Sequence, residues 1–203
     1  MKKIICADSL TWLKENKIEN ASIITSLPDA EEINLSIKEW ISWFEKAVKL
    51  CLEYNPCIFY QTDRKHNSIT HSKAFMIMKI AEEIGINLIW HKIALRKNIN
   101  TIDLYRPGFT HLLCFGKCKI GKAIPDVFMR GNTIYNNGMG INAANIAIDF
   151  CKKHSNLIID PFCGKGTIPA ICQNMNIDSI GIDIDEKQCE YARTLKYNTN
   201  NLF

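Results

Sequence analysis

An α/β fold with a mostly parallel sheet and helices on both faces is what this sequence predicts, on three observations. Apolar runs of strand length recur at 3–7, 21–26, 57–61, 86–94, 111–116, 156–160 and 178–183. Segments with helical spacing separate most of them, and such alternation returns each strand parallel to the last. Near the end of the chain, Leu157-Ile158-Ile159 runs into Asp160-Pro161-Phe162-Cys163-Gly164-Lys165-Gly166-Thr167 and then a helical run, Ile168 to Met175. A strand, a Gly-x-Gly turn and a helix start make a ligand cradle, because free N–H groups line the turn and glycine lets a ligand approach the backbone.

The elements follow in order. After the strand at 3–7, Asp8 to Asn16 reads as a short helix with Asp8 or Ser9 as N-cap. The clearest helix is 37–54, where Ile37, Trp40, Ile41, Phe44, Ala47, Val48 and Cys51 share a face; Asn55-Pro56 stops it. Ser72 to Ile84 is a further helix, closed by Gly85. No convincing helix joins 86–94 to 111–116, so these two strands are expected to pair antiparallel. The intervening 96–110 is polar and basic, with Arg96, Lys97 and Arg106. Segment 117–140 also reads as loop, and irregular stretches of such length in compact domains are usually functional or disordered. Helices are expected at 142–154, 167–176 and 185–197. Trp40 and Trp90 read as core.

Bulk properties bound the function. The chain has 203 residues, 47% hydrophobic and 23% charged, which suits one globular domain. We expect that domain to comprise a first part, 1–116, a loop region, 117–140, and a last part, 141–203. The formal net charge of +4 permits a nucleic-acid partner without demanding one. No run is long and apolar enough to cross a membrane, and Met1 to Cys6 is no signal peptide, so a membrane or secreted protein is not expected. Nine scattered cysteines, an odd number, suggest buried thiols in a reducing compartment: the cytoplasm, or the nucleus of a eukaryote. His111, Cys114 and Cys118 lack a second ligand pair, so no metal site is expected.

Asp183 follows Asp160 by 23 positions, after another apolar strand. Spacing of roughly 20 is what a ribose-binding carboxylate needs in a βαβ unit. A redox dinucleotide loop would want a third glycine three residues after Gly166, where Pro169 stands. A phosphate-binding loop is excluded because Lys165-Gly166-Thr167 breaks the contiguous Lys-Thr pair.

On these motifs the chain resembles the permuted class of S-adenosylmethionine-dependent amino-methyltransferases, which methylate exocyclic amines of nucleobases. Asp160-Pro161-Phe162-x-Gly164-x-Gly166-Thr167 is similar to the family's cofactor loop, and Gly181-Ile182-Asp183-Ile184-Asp185 to the strand whose acid holds the ribose. Cys6-Ala7-Asp8-Ser9 resembles the opening strand, where the Asp approaches the adenine amine. Arg106-Pro107-x-Phe109-x-His111-x-Leu113-x-Phe115 resembles an antiparallel strand late in the catalytic half. Gly138-Met139-Gly140-Ile141-Asn142 resembles the segment that touches the methionine end of the cofactor. The resemblance implies a Rossmann-like class I methyltransferase fold: seven strands, one of them antiparallel, with circularly permuted motif order. A catalytic half that comes first would explain the late cradle. The cofactor implied is S-adenosyl-L-methionine, held by Asp8, Gly140, Asn142, Asp160, Phe162, Gly164, Gly166, Thr167 and Asp183.

The family's catalytic loop is Asp, Asn or Ser, then Pro-Pro and an aromatic. Its counterpart here is Ser26-Leu27-Pro28-Asp29, with Leu27 for the first proline and Asp29 for the aromatic. Methyl transfer from a sulfonium is an in-line displacement, so placement is the main task. An aryl amine is a weak nucleophile until its N–H groups are held by acceptors; Ser26 Oγ and the Leu27 carbonyl are the candidates. The family aromatic stacks on a flipped base, which Asp29 cannot do. Asp29 is expected either to accept two hydrogen bonds from a substrate edge, or to cap a helix begun by Glu31 and Glu32. Tyr105, Phe109 and Tyr135 are further stacking candidates, each more simply explained by packing.

A nucleic acid, RNA slightly before DNA, is the expected partner, since 117–137 is short for an independent reader of bases and folded RNA is recognised partly by shape. A protein subunit supplying specificity is compatible with the same shortness. Two other functions stay open: a cofactor-binding subunit without turnover, and a protein methyltransferase in which Asp29 meets a cationic nucleophile.

Overall fold

Strand β9 (Leu157–Asp160), which ends in the cradle, lies at the middle of the sheet in a computed structural model that describes residues 1–66, 69–102, 107–119 and 124–197. On one side stand β10 (Asp178–Asp183) and then β1 (Lys2–Cys6) at the edge. On the other stand β2 (Ala21–Thr25), β3 (Cys57–Gln61), β7 (Phe109–Phe115), β6 (Leu88–Leu95) and β8 (Val127–Met129). All pairings are parallel except those of β7, which runs against both β3 and β6. The expected antiparallel pair is therefore present, and β7 is the one reversed strand.

The sheet has eight strands, not seven, and a separate ribbon of β4 (Arg64–His66) and β5 (Ile69–His71) lies beyond β3. Three-residue strands carry too little pattern to read from sequence. Tertiary contacts make β8: Ile93 N–H donates to the Asp126 carbonyl at 2.7 Å and Arg130 N–H to that of Leu95 at 2.9 Å. The stretch expected to be loop throughout 117–140 thus contains a strand.

Helices α1 (Ser9–Glu15), α2 (Ile37–Cys51) and α3 (Lys73–Glu83) stand on the first part of the chain; α4 (Ile141–Cys151), α5 (Thr167–Asn174) and α6 (Glu186–Thr194) stand on the last. Each is a few residues shorter than its apolar pattern. Capping explains the starts: Asp8 accepts from Thr11 N–H, and Ser36 and Glu39 form a reciprocal capping box before α2. Neighbouring residues of the central strands feed opposite cores, since successive side chains point to opposite faces. Ile23, Phe59, Leu113 and Ile159 pack with Trp40, Phe44 and Ile77. Ile24, Ile58, Leu112 and Ile158 pack with Ala147, Ile148 and Ile171. Burial on both faces is what makes such strands continuously apolar.

The connection from β9 leads to β10 on one side, and that from β2 leads to β3 on the other. Ligand crevices in open α/β sheets lie beyond the carboxyl ends of strands at such a divergence.

Candidate active site

A cleft of about 870 Å³ opens at these strand ends, bordered by the cradle, by Asp8 after β1, by Ser26 to Asp29 after β2, and by Tyr135 to Met139. The end of β1 meets the end of β10 there: Cys6 is in register with Asp183, and Ala7 N–H donates to the Asp183 carbonyl at 2.9 Å.

Asp183 organises the cradle. One carboxylate oxygen accepts from Gly164 N–H and the other from Asp185 N–H, both at 2.9 Å. Asp185 instead caps α6, accepting from Lys187 N–H at 2.8 Å. Gly166 adopts φ 84°, and a methyl group there would stand 2.8 Å from Ala192 Cβ. Its freedom serves the turn and the close approach of α6; Gly166 itself is not on the cleft wall, whereas Gly164 and Thr167 are. Phe162 lies against the Trp43 ring, centroids 5.4 Å apart, and the Ser9 hydroxyl donates to the Pro161 carbonyl.

Asp160 is buried at the end of β9, where Thr25 Oγ1 donates to it at 2.9 Å and Phe162 N–H at 3.4 Å. Burial pushes its carboxyl up to about 7, against the partly offsetting hydrogen bonds. The folded protein therefore binds this proton more tightly than the unfolded chain, where an Asp titrates near ~3.9. The stability so gained is full below about pH 4 and is lost as pH rises through about 7. Urea titrations of the wild type should show stability falling across that window. Asp160→Asn should flatten the fall by on the order of a few kcal/mol; an unchanged pH profile would disprove the assignment.

The loop after β2 departs from the capping reading of Asp29. Residues 30–34 form turns and α2 begins only after Ser36, so Asp29 caps no helix. Glu32 reaches back instead, accepting from Asp29 N–H at 2.8 Å. The Asp29 oxygens also carry cations of this chain while the residue lines the cleft. One accepts from Lys73 Nζ and the other pairs with Arg64 Nε, both at 2.6 Å. Lys73 is 4% exposed, at the first position of α3. Ser26 is exposed on the cleft wall. Leu27 is buried, and its carbonyl accepts no hydrogen bond among the described residues. The Pro28 carbonyl is taken by Trp40 Nε1 at 3.0 Å. Trp40 is thus core, as expected, and also ties down this loop.

Other candidates divide. Asp8 borders the cleft while also serving as the α1 cap, with Thr11 N–H at 2.8 Å and Thr11 Oγ1 at 2.7 Å. Gly140 and Asn142 lie outside the cleft lining. A methyl group at Gly140 would meet the Arg130 carbonyl at 2.3 Å, and Asn142 Nδ2 donates to the Met129 carbonyl at 3.1 Å. Their segment reaches the cleft through Gly138 and Met139 instead. Tyr135 borders the cleft and meets Tyr191 edge-on, with Lys165 Nζ between 5 and 6 Å from both ring centroids. Phe109 lies edge-on to His111, away from the cleft wall; Tyr105 and Arg106 fall outside the described residues. His111 bonds His91 at 2.9 Å rather than gathering Cys114 and Cys118.

Sequence reasoning missed Thr25, Arg64, Lys73, Tyr60 and Ile184. A threonine closing an apolar strand at Thr25 was a readable signal. Ile184, exposed beside Asp183, gives the cleft an apolar wall. Arg64 and Lys73 lie 35 and more residues from Asp29 in sequence and carry no local pattern.

Residues 130–194 match the family described as DNA methylase of the N6/N4 type. Over 58 residues the chain is 45% identical to the type II methyltransferase M.MjaII of Methanocaldococcus jannaschii. That match covers 26% of this chain and 11% of the relative's length. In three dimensions, TTHA0409 of Thermus thermophilus matches with a TM-score of 0.74 at 10% identity, over 95% of this chain and 93% of its own. TTHA0409 has also been solved with S-adenosyl-L-methionine bound. PvuII DNA methyltransferase, cytosine-N4-specific, matches with a TM-score of 0.69 at 16% identity, over 98% of this chain and 88% of its own. Residues 130–194 thus match the N6/N4-type DNA methylase model, and over nearly its whole length the chain shares its fold with TTHA0409 and PvuII DNA methyltransferase.

Proposed function

We propose that the protein is an S-adenosyl-L-methionine-dependent methyltransferase acting on an exocyclic amine of a base in DNA. The observation that carries this reading is that one cleft joins the Asp160–Thr167 cradle to the exposed Ser26. The relatives carry DNA methylase names, so DNA takes precedence over the RNA expected from the short 117–137 segment. The cofactor suits the residues present. Asp8, Asp183 and Asp185 give its half of the cleft an acidic wall, fitted to ribose hydroxyls and a cation, and Ile184 and Phe162 offer apolar faces to adenine. Asp183 is the residue we assign to the ribose.

When bound, S-adenosyl-L-methionine supplies an electrophilic methyl group. The chain's part is to place and sharpen the amine. Ser26 Oγ and the Leu27 carbonyl accept its two N–H groups, which draws the nitrogen toward tetrahedral geometry and frees its lone pair. Trp40, by holding the Pro28 carbonyl, fixes the direction of that loop. Asp29 already bears two cations of its own chain, which removes it as a docking carboxylate for a protein amine.

Transfer of labelled methyl from S-adenosyl-L-methionine into unmodified genomic DNA tests the proposal; incorporation into RNA or protein alone would overturn the DNA assignment. Ser26→Ala should lower turnover by about a hundredfold or more while leaving cofactor affinity unchanged. Wild-type turnover in that variant would remove Ser26 from the chemistry.

A further inference from the structure

We propose that Cys6, Glu186 and Cys189 form a zinc site that ties the edge strand β1 to α6. Their donor atoms, two thiol sulfurs and a carboxylate oxygen, all lie within 4.8 Å of one another. A zinc ion sits about 2.3 Å from sulfur and about 2.0–2.2 Å from oxygen, so it reaches all three once the side chains close in slightly. No local motif marks this group, because Cys6 and Cys189 stand near opposite ends of the chain. The sheet brings them together. Cys6 closes β1 in register with Asp183 at the end of β10, and α6 then folds back beside β1. Glu186 and Cys189, three positions apart, share one face of α6. None of the three borders the cleft.

The donor set selects the ion. Two thiolates favour zinc over Mg2+ or Ca2+, which take oxygen ligands. Cys189 is buried and forms the floor, while Cys6 and Glu186 are exposed, so an ion can enter from solvent. Cys189 Sγ donates to the Asp183 carbonyl at 3.5 Å and Cys6 Sγ to that of Ile184 at 3.6 Å. Both thiol protons leave to solvent as the two zinc–sulfur bonds form. The Ile184 carbonyl or a water completes four ligands. Glu186 Oε1 also pairs with Arg193, and a carboxylate has lone pairs for a guanidinium and a metal together. The charges then balance: two thiolates and one carboxylate against Zn2+ and the Arg193 guanidinium. A disulfide would use the sulfurs and give Glu186 no part. A bound ion braces the segment from Asp183 to Asp185 from outside the cleft, and the site stands independently of the methyltransferase reading.

Titration of the reduced, metal-free protein with Zn2+ against a chromophoric chelator tests this. The wild type should bind one equivalent with a Kd on the order of 1 μM or tighter. Co2+ in its place should show thiolate-to-metal charge-transfer absorption and the visible bands of a tetrahedral ion. Cys6→Ser, at an exposed position, should weaken zinc binding about a hundredfold or more and diminish the charge-transfer band. Glu186→Gln should weaken binding about tenfold and keep the band. Cys118→Ser, which removes a thiol outside the group, should bind as the wild type does. Zn2+ should raise the Tm of the wild type and leave that of Cys6→Ser unmoved. Failure of the reduced wild type to take up one equivalent would overturn the site, whether or not Cys6 and Cys189 form a disulfide on oxidation. So would wild-type zinc affinity in Cys6→Ser, or loss of binding in Cys118→Ser.

Discussion

Asp183→Ala is expected to bind S-adenosyl-L-methionine at least roughly a hundredfold more weakly than the wild type, about 3 kcal/mol. Two losses combine. The carboxylate we assign to the ribose goes, and the cradle loses its organiser, because Gly164 N–H and Asp185 N–H both donate to that one side chain. Hydrogen bonds to a charged acceptor are the stronger kind. Asp185→Ala provides the contrast. Its carboxylate serves Lys187 N–H at the start of α6, so its removal should cost about 1 kcal/mol of stability with a smaller effect on the cofactor. Titration calorimetry on both variants checks the pair. If Asp185→Ala proves the weaker binder, the two acids exchange roles.

The second large effect concerns folding. Asp29→Ala should destabilise the protein by about 3–5 kcal/mol, because it strands the Lys73 ammonium in a buried site. At this chain length that is a fall in Tm on the order of 10 °C. The position aggravates the loss: Lys73 opens α3, where the helix dipole already disfavours a cation. Asp29→Ala combined with Lys73→Met should regain most of the stability, since a buried pair replaced by apolar groups is often neutral. Thermal melts of the two single variants and the double variant give the coupling directly. Wild-type melting of Asp29→Ala would show that the pair contributes nothing to the fold.

Much of the fold was legible because its signals are local. The seven longer strands declare themselves as apolar runs, most plainly β2 and β3, which are buried on both faces. The cradle is a contiguous motif whose requirements, backbone N–H groups and a left-handed glycine at Gly166, are met within a few residues. Asp183 was legible for a related reason: a βαβ unit of ordinary length brings the ends of neighbouring parallel strands together at a predictable spacing. The strands that escaped notice, β4, β5 and β8, are three residues long and owe their existence to what lies beside them.

Gly140 and Asn142 show the limit of a motif. The segment 138–142 was recognised, but which of its residues face the cleft depends on how the chain crosses Arg130 and Met129, and that crossing turns Gly138 and Met139 inward instead. Asp29 shows the same limit more sharply. As a letter in Ser26-Leu27-Pro28-Asp29 it offered a cap or a substrate acceptor; it caps no helix, and on the cleft wall it carries two cations of its own chain.

By itself, the sequence determined the α/β class, the cradle with its partner acid, and the loop where a nucleophile would be placed. Each is encoded by residues close together along the chain or one βαβ unit apart. Only the tertiary structure decided what Asp29 does and that Thr25 meets Asp160. Those partners come from separate strands and helices, and charge pairing acts across space without leaving a period or spacing in the sequence.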